Sequence, residues 1–132
     1  MKPIFHLSIP VRDLDEAIGF YRDRLGAQIG RRTEMFADAL LFGAQITLQN
    51  DPGNVSVPMP RTRHFGATLA WDKWETTVGG LEGKAAFLEP PKASYVGEPI
   101  EQIKCMIADP SGNRIELKAY RNPEKVLGSL AS

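Results

Sequence analysis

The chain contains two histidines, His6 and His64, and each opens the polar or small face of a segment that alternates with a period of two. In residues 4–11 the apolar side is Phe5, Leu7, Ile9 and Val11, which leaves His6, Ser8 and Pro10 opposite. In residues 64–71 it is Phe65, Ala67, Leu69 and Trp71, against His64, Gly66, Thr68 and Ala70. A third segment, 114–120, sets Ile115, Leu117 and Ala119 against Arg114, Glu116 and Lys118. Two neutral imidazoles and a carboxylate arriving from separate strands occupy one side of a divalent ion and leave the other open to water, oxygen or substrate. The expected ligands are therefore His6, His64 and Glu116, with Glu116 also the catalytic carboxylate. The ion is Mn, Ni, Zn or Fe(II), because this donor set does not choose among them. Taken singly, each residue has a plainer reading. A strand histidine is more often hydrogen-bonded structure, and a glutamate beside Arg114 and Lys118 is more often solvated. The matched placement of the two histidines favours the ligand reading.

Around this set lie other polar groups with two readings each. Ser8, two residues after His6, is either a catalytic hydroxyl or a lining hydroxyl without a role. Thr47 and Gln49 alternate with Ile46 and Leu48, so they point inward to the ion or substrate, or satisfy interior hydrogen bonds. Lys92 and Tyr95 are candidate substrate contacts from a loop of the second half. Arg61, Arg63 and Lys92 are candidate anion contacts or ordinary solvated charges.

The elements that position these groups form a repeated β, α, β, β, β order. After the first strand, Asp13-Leu14-Asp15-Glu16 reads as a helix start, with Asp13 accepting from free first-turn amides and Glu16 reaching back. Leu14, Ile18, Tyr21 and Leu25 then share one helical face, and Gly26 supplies the stop. Strands follow near 27–33, 35–42 and 44–50. In the second half, Asp72-Lys73-Trp74-Glu75 repeats the cap spacing, and the helix runs to about Leu81 before Gly83. A short strand is expected near 85–88, then a Pro-rich loop Glu89-Pro90-Pro91-Lys92. Strands at 102–108 and 114–120 follow, joined by the turn Asp109-Pro110-Ser111-Gly112-Asn113. The spacing of Trp71, Trp74 and Phe65 suits packing of helix on sheet. The expected fold is α+β, paired βαβββ modules forming an open, curved, barrel-like mixed sheet with helices outside. Module 1 covers about 4–52, a linker about 53–62, module 2 about 63–121, and a surface tail 122–132, all as one domain; the stretch Asp51 to Arg63 around the linker carries three prolines and a glycine.

The bulk properties narrow the partners. Sixteen acidic residues balance sixteen basic ones and no basic run appears, which disfavours nucleic acid and anionic membranes. No apolar run is long enough for a bilayer span. Cys105 is the only cysteine, so an internal disulfide is impossible; a cytoplasmic setting is expected, with a core thiol between Ile103 and Ile107.

Phe5-His6-Leu7-Ser8-Ile9-Pro10-Val11-Arg12-Asp13-Leu14, then Phe20-Tyr21 and Leu25-Gly26, resembles the opening strand and helix of the vicinal oxygen chelate superfamily of glyoxalases, extradiol dioxygenases, fosfomycin-modifying thiol transferases and bleomycin-binding proteins. Asp109 to Asn113, running on to Glu116, resembles its closing hairpin. The resemblance places His6, His64 and Glu116 at the family's metal positions and implies paired modules that often form homodimers. Ile46-Thr47-Leu48-Gln49 lacks the carboxylate that glyoxalases usually add from the fourth strand, although glutamine also serves there. The expected function is metal-dependent chelation of vicinal oxygens of a small substrate, with stabilisation of an enolate or oxyanion, in a lyase, isomerase or dioxygenase. The alternatives are a metal-free drug-sequestering protein, a thiol transferase of the fosfomycin-resistance type, or a structural ion without turnover.

Overall fold

The computed structural model describes residues 1–132 and divides them into two compact units, Met1–Thr62 with Ala108–Asn113, and Arg63–Ile107 with Arg114–Ser132. In the first unit the elements are β1 (His6–Val11), α1 (Leu14–Asp23), β2 (Gln28–Arg32), β3 (Phe36–Leu41) and β4 (Ala44–Asn50). They form an open mixed sheet of order β1-β4-β3-β2, with β1 parallel to β4 and the other pairs antiparallel. In the second unit β5 (His64–Thr68), α2 (Trp71–Gly79), β6 (Ala86–Ser94), β7 (Gln102–Ala108) and β8 (Arg114–Tyr120) give the matching order β5-β8-β7-β6, with β5 parallel to β8. The fold is α+β, two βαβββ modules, as the doubled sequence pattern predicts.

Helix α1 starts as its sequence dictates: Asp13, extended at φ −150°, accepts from the Glu16 amide at 2.8 Å. The Glu16 side chain, however, turns to Arg12 at 2.8 Å and does not close a capping box. At the other end Gly26, at φ +79°, donates to the Arg22 carbonyl and Ala27 to that of Tyr21, closing the last turn. The helix buries Leu14, Ala17, Ile18 and Tyr21 over β3 and β4, where Ala37 and Ala39 keep the sheet surface low. Each fully buried aliphatic side chain here contributes about 1.5–3 kcal/mol. The core side of β1 is not uniform. Val11 and Ile9 are buried, but Phe5 is 68% exposed, because the ladder with β4 begins at His6 opposite Gln45 and Phe5 lies beyond it.

Two expectations in the second half need correction. Helix α2 begins at Trp71, with Ala70 at the cap position and no side-chain cap, so Asp72 sits inside the first turn and does not repeat the role of Asp13. Packing sets that start: Trp74 is buried and its indole N–H donates to the Leu117 carbonyl at 2.8 Å, while Trp71 lies under the Arg121 guanidinium at 3.6 Å. The segment Glu89-Pro90-Pro91-Lys92 is not a loop but the middle of β6. Prolines are best tolerated there because β6 is an edge strand, where the amide on the side away from β7 has no ladder partner. Residues 122–132 contain a short helix α3 (Pro123–Leu127) and a 3₁₀ turn at Gly128–Ala131. No helix is long and apolar enough to cross a membrane.

Candidate metal centre

In the first unit the ladders set His6 beside Gln45, Ser8 beside Thr47 and Asp38 beside Thr47, so these side chains share one face of the sheet. His6 is exposed, and its Nδ1 lies 3.2 Å from the Gln45 carbonyl oxygen. A carbonyl only accepts, so Nδ1 is the donor in this contact, and in the neutral imidazole the lone pair that a metal ligand needs then lies on Nε2. Gln49 donates to Ser8 Oγ at 3.3 Å. Thr47 is buried and donates to Asp38 Oδ1 at 2.8 Å.

Sequence reasoning passed over Asp38, which is 2% exposed. Its carboxylate takes Arg31 Nε at 2.6 Å, the second guanidinium nitrogen at 3.3 Å, Thr47 at 2.8 Å and Gln45 Nε2 at 3.4 Å. The Arg31 hydrogen bond, foremost, holds this carboxyl below the ordinary carboxylate range. A signal was present in β3: a single carboxylate between Ala37 and Ala39 in a strand whose alternate residues are small and buried.

In the second unit β5 and β8 run in parallel with Gly66 opposite Glu116. A Cβ on Gly66 would collide with the Glu116 backbone, so glycine lets the two strands meet at this point. On the same pair of strands His64 Nε2 lies 3.7 Å from Glu116 Oε2. The other carboxylate oxygen lies 3.7 Å from Lys118 Nζ. Nitrogen and oxygen ligands about 2.1 Å from one ion, at angles between tetrahedral and 120°, stand about 3.4–3.6 Å apart. The His64–Glu116 spacing and donor chemistry therefore fit a shared divalent ion with a small adjustment. No third His, Cys, Asp or Glu of this unit joins them in a group of three.

Glu116 lies on the walls of two cavities. One, of about 170 Å³, is lined by His64, Thr68, Glu116 and Lys118 among others; the second, of about 190 Å³, by Glu89, Pro90, Lys92, Lys104, Cys105, Met106 and Glu116. Lys92 thus shares a wall with the candidate ligand, although from a strand. Tyr95 follows β6 in a turn at φ +54° and is half exposed. Burial pushes the Cys105 thiol up to about 11, so it stays protonated at neutral pH and is no nucleophile.

The profile of the Glyoxalase/Bleomycin resistance protein/Dioxygenase superfamily matches residues 4–117. Among solved structures, a glyoxalase/bleomycin resistance protein/dioxygenase from Alicyclobacillus acidocaldarius is similar at 28% identity and TM-score 0.85, over 94% of this chain and 96% of that one. The genomically encoded fosfomycin resistance protein FosX from Listeria monocytogenes shares the fold at 14% identity and TM-score 0.73, over 96% and 99% of the two chains. A virulence protein from Salmonella typhimurium does so at 22% identity and TM-score 0.63, over 91% and 98%. No curated protein sequence matches the chain. With the profile covering nearly the whole of both modules, the chain belongs to the glyoxalase/bleomycin resistance protein/dioxygenase superfamily, the vicinal oxygen chelate proteins.

Proposed function

We propose that this chain is a divalent-metal-dependent enzyme that chelates vicinal oxygens of a small substrate, its ion held by His6, His64 and Glu116, in a lyase, isomerase or dioxygenase reaction. The observation that carries the reading is the approach of His64 Nε2 to Glu116 Oε2 at 3.7 Å across adjacent strands. Support comes from His6, whose Nδ1 donates to a backbone carbonyl and leaves Nε2 available. The ion, when bound, supplies Lewis-acid polarisation of the substrate oxygens.

The remaining chemistry belongs to side chains. The Ser8 hydroxyl accepts from Gln49 and keeps its own proton to give to a substrate oxygen. Thr47, whose proton is committed to Asp38, meets a substrate only as an acceptor. Gln49 and Tyr95 are further substrate contacts, and Lys92 reaches it from the wall shared with Glu116. A homodimer in the cytoplasm, with one of Mn, Ni, Zn or Fe(II) per chain, completes the reading.

Titration of chelator-treated protein with Mn(II), followed by electron paramagnetic resonance, tests it. One tight ion per chain is expected, with affinity falling at least about tenfold in His6→Ala, His64→Ala and Glu116→Ala. Wild-type affinity in all three variants would overturn the proposal.

A further inference from the structure

The hairpin joining β3 to β4 turns at Phe42 and Gly43, both left-handed, at φ +54° and +70°. Such two-residue turns favour glycine, asparagine or aspartate, and a bulky side chain there works against its own backbone. Phe42 nevertheless occupies the position, and it walls a cavity of about 530 Å³ with Ile4, Leu40, Ala44 and Gln45 among others. Strain of this kind gathers where a ligand is gripped. Ile4 and Leu40 are exposed, so hydrocarbon meets water along this wall, an unfavourable contact that an apolar occupant removes. The lining has no acidic or basic side chain. Its one polar side chain is the half-buried Gln45, which lies opposite Leu40 in the ladder.

Asp38 decides which way round that amide stands. Paired with Arg31 at 2.6 Å, the Asp38 carboxyl is ionised and can only accept, so Gln45 offers it the nitrogen, Nε2 to Oδ2 at 3.4 Å. Oε1, the other branch of the amide, is the atom left to accept from a ligand. We propose that the cavity binds a neutral small molecule with an aryl or branched-alkyl body and one hydroxyl or N–H group, the body against Leu40, Ile4 and Phe42 and the donor on Gln45 Oε1. Size supports this occupant, since small-molecule sites span about 300–1,000 Å³ and set a few placed polar groups in an apolar lining. Charge supports it too, because an anion would find no cationic side chain on the wall and the Asp38 carboxylate behind Gln45. Binding requires no metal, and the site therefore stands or falls apart from the proposed function.

Calorimetric titration of chelator-treated protein with para-ethylphenol, para-ethylanisole and para-ethylbenzoate tests the site. One para-ethylphenol per chain is expected, with the anisole, which lacks the donor, about tenfold weaker and the benzoate, an anion, weaker still. Leu40→Gln should weaken phenol binding at least about tenfold. Gln45→Met keeps the length of the side chain and the backbone carbonyl, and should bring phenol and anisole to equal affinity. Leu88→Gln, at an exposed apolar position on β6, should bind as wild type does. In wild type, with no substitution at all, the amide 15N shifts that move on titration should be those of Ile4 and residues 40–45. Absence of phenol binding at about ten millimolar, shift changes confined to other residues, or a phenol preference that survives in Gln45→Met overturns the proposal. Self-association that Leu40→Gln abolishes, with no phenol bound by wild type, would assign the cavity to a second copy of the chain and overturn it likewise.

Discussion

Two copies of one module carry different polar faces, and the difference lies in what each face does with its charge. In the first, Asp38 is sunk among donors and neutralised by Arg31, and the residue two beyond the histidine is Ser8. In the second, Glu116 stands between His64 and Lys118 without a hydrogen bond to either, and the equivalent residue is Gly66. The first face is a satisfied network that fixes its own geometry. The second holds a carboxylate at a distance from its partners that an ion would close. The duplicated fold thus sets a buried, hydrogen-bonded carboxylate on one sheet and a carboxylate in longer ion pairs on the other.

The sharpest way to break that contrast is at the paired positions Ser8 and Gly66. Any side chain at Gly66 meets the Glu116 backbone, which cannot yield without separating β5 from β8. Gly66→Ala should therefore destabilise the protein by about 3 kcal/mol or more in urea unfolding, the scale of overpacking against backbone. Ser8→Ala, in the corresponding place, removes one acceptor for Gln49 at an exposed position and should change stability by less than about 0.5 kcal/mol. Equal effects at the two sites would refute the claim that close strand approach is confined to the second module.

Much of this was legible in the chain. Period-two alternation located β1, β5 and β8, because half-buried strands write their burial directly into every second residue. The Asp13 cap and Gly26 stop were equally local and equally readable. The second helix was readable as well, but its start was not, since that is set by Trp74 reaching the Leu117 carbonyl across more than forty residues. Nor was the strand through Pro90 and Pro91, whose tolerance follows from edge position, a property of sheet order. At the site, the facing of His64 and Glu116 followed from alternation alone. Asp38 stayed hidden because its partners depend on which strands are neighbours.

A second break separates two buried carboxylates within the first unit. Asp109 accepts from the Ser111 and Asn113 amides, the Asn113 side chain and the Tyr21 hydroxyl, at 2.8–2.9 Å. Asp109→Ala strands these buried donors and should cost about 2–3 kcal/mol; Tyr21→Phe, leaving three of them, should cost about 1 kcal/mol. Parity between the two variants in chemical denaturation would mean that the turn at 109–113 holds itself without the carboxylate.

The smallest effect distinguishes the same two carboxylates by the sign of their pH dependence. Asp38 has a cation as partner and its carboxyl is lowered, chiefly by the Arg31 hydrogen bond, so its stabilisation is present above the unfolded value near 3.9 and is lost as pH falls through the folded value. Asp109 has only neutral partners, and burial raises its carboxyl despite them. Its contribution is full below the unfolded value and declines as pH rises through the folded one. The stability gap between wild type and Asp38→Asn should therefore widen from acid to neutral pH, and that for Asp109→Asn should narrow. Urea unfolding from pH 3.5 to 7 measures both slopes. Slopes of the same sign would show that Arg31, whose side chain is 62% exposed, is too well screened by water to set the charge of Asp38, and that burial governs both groups alike.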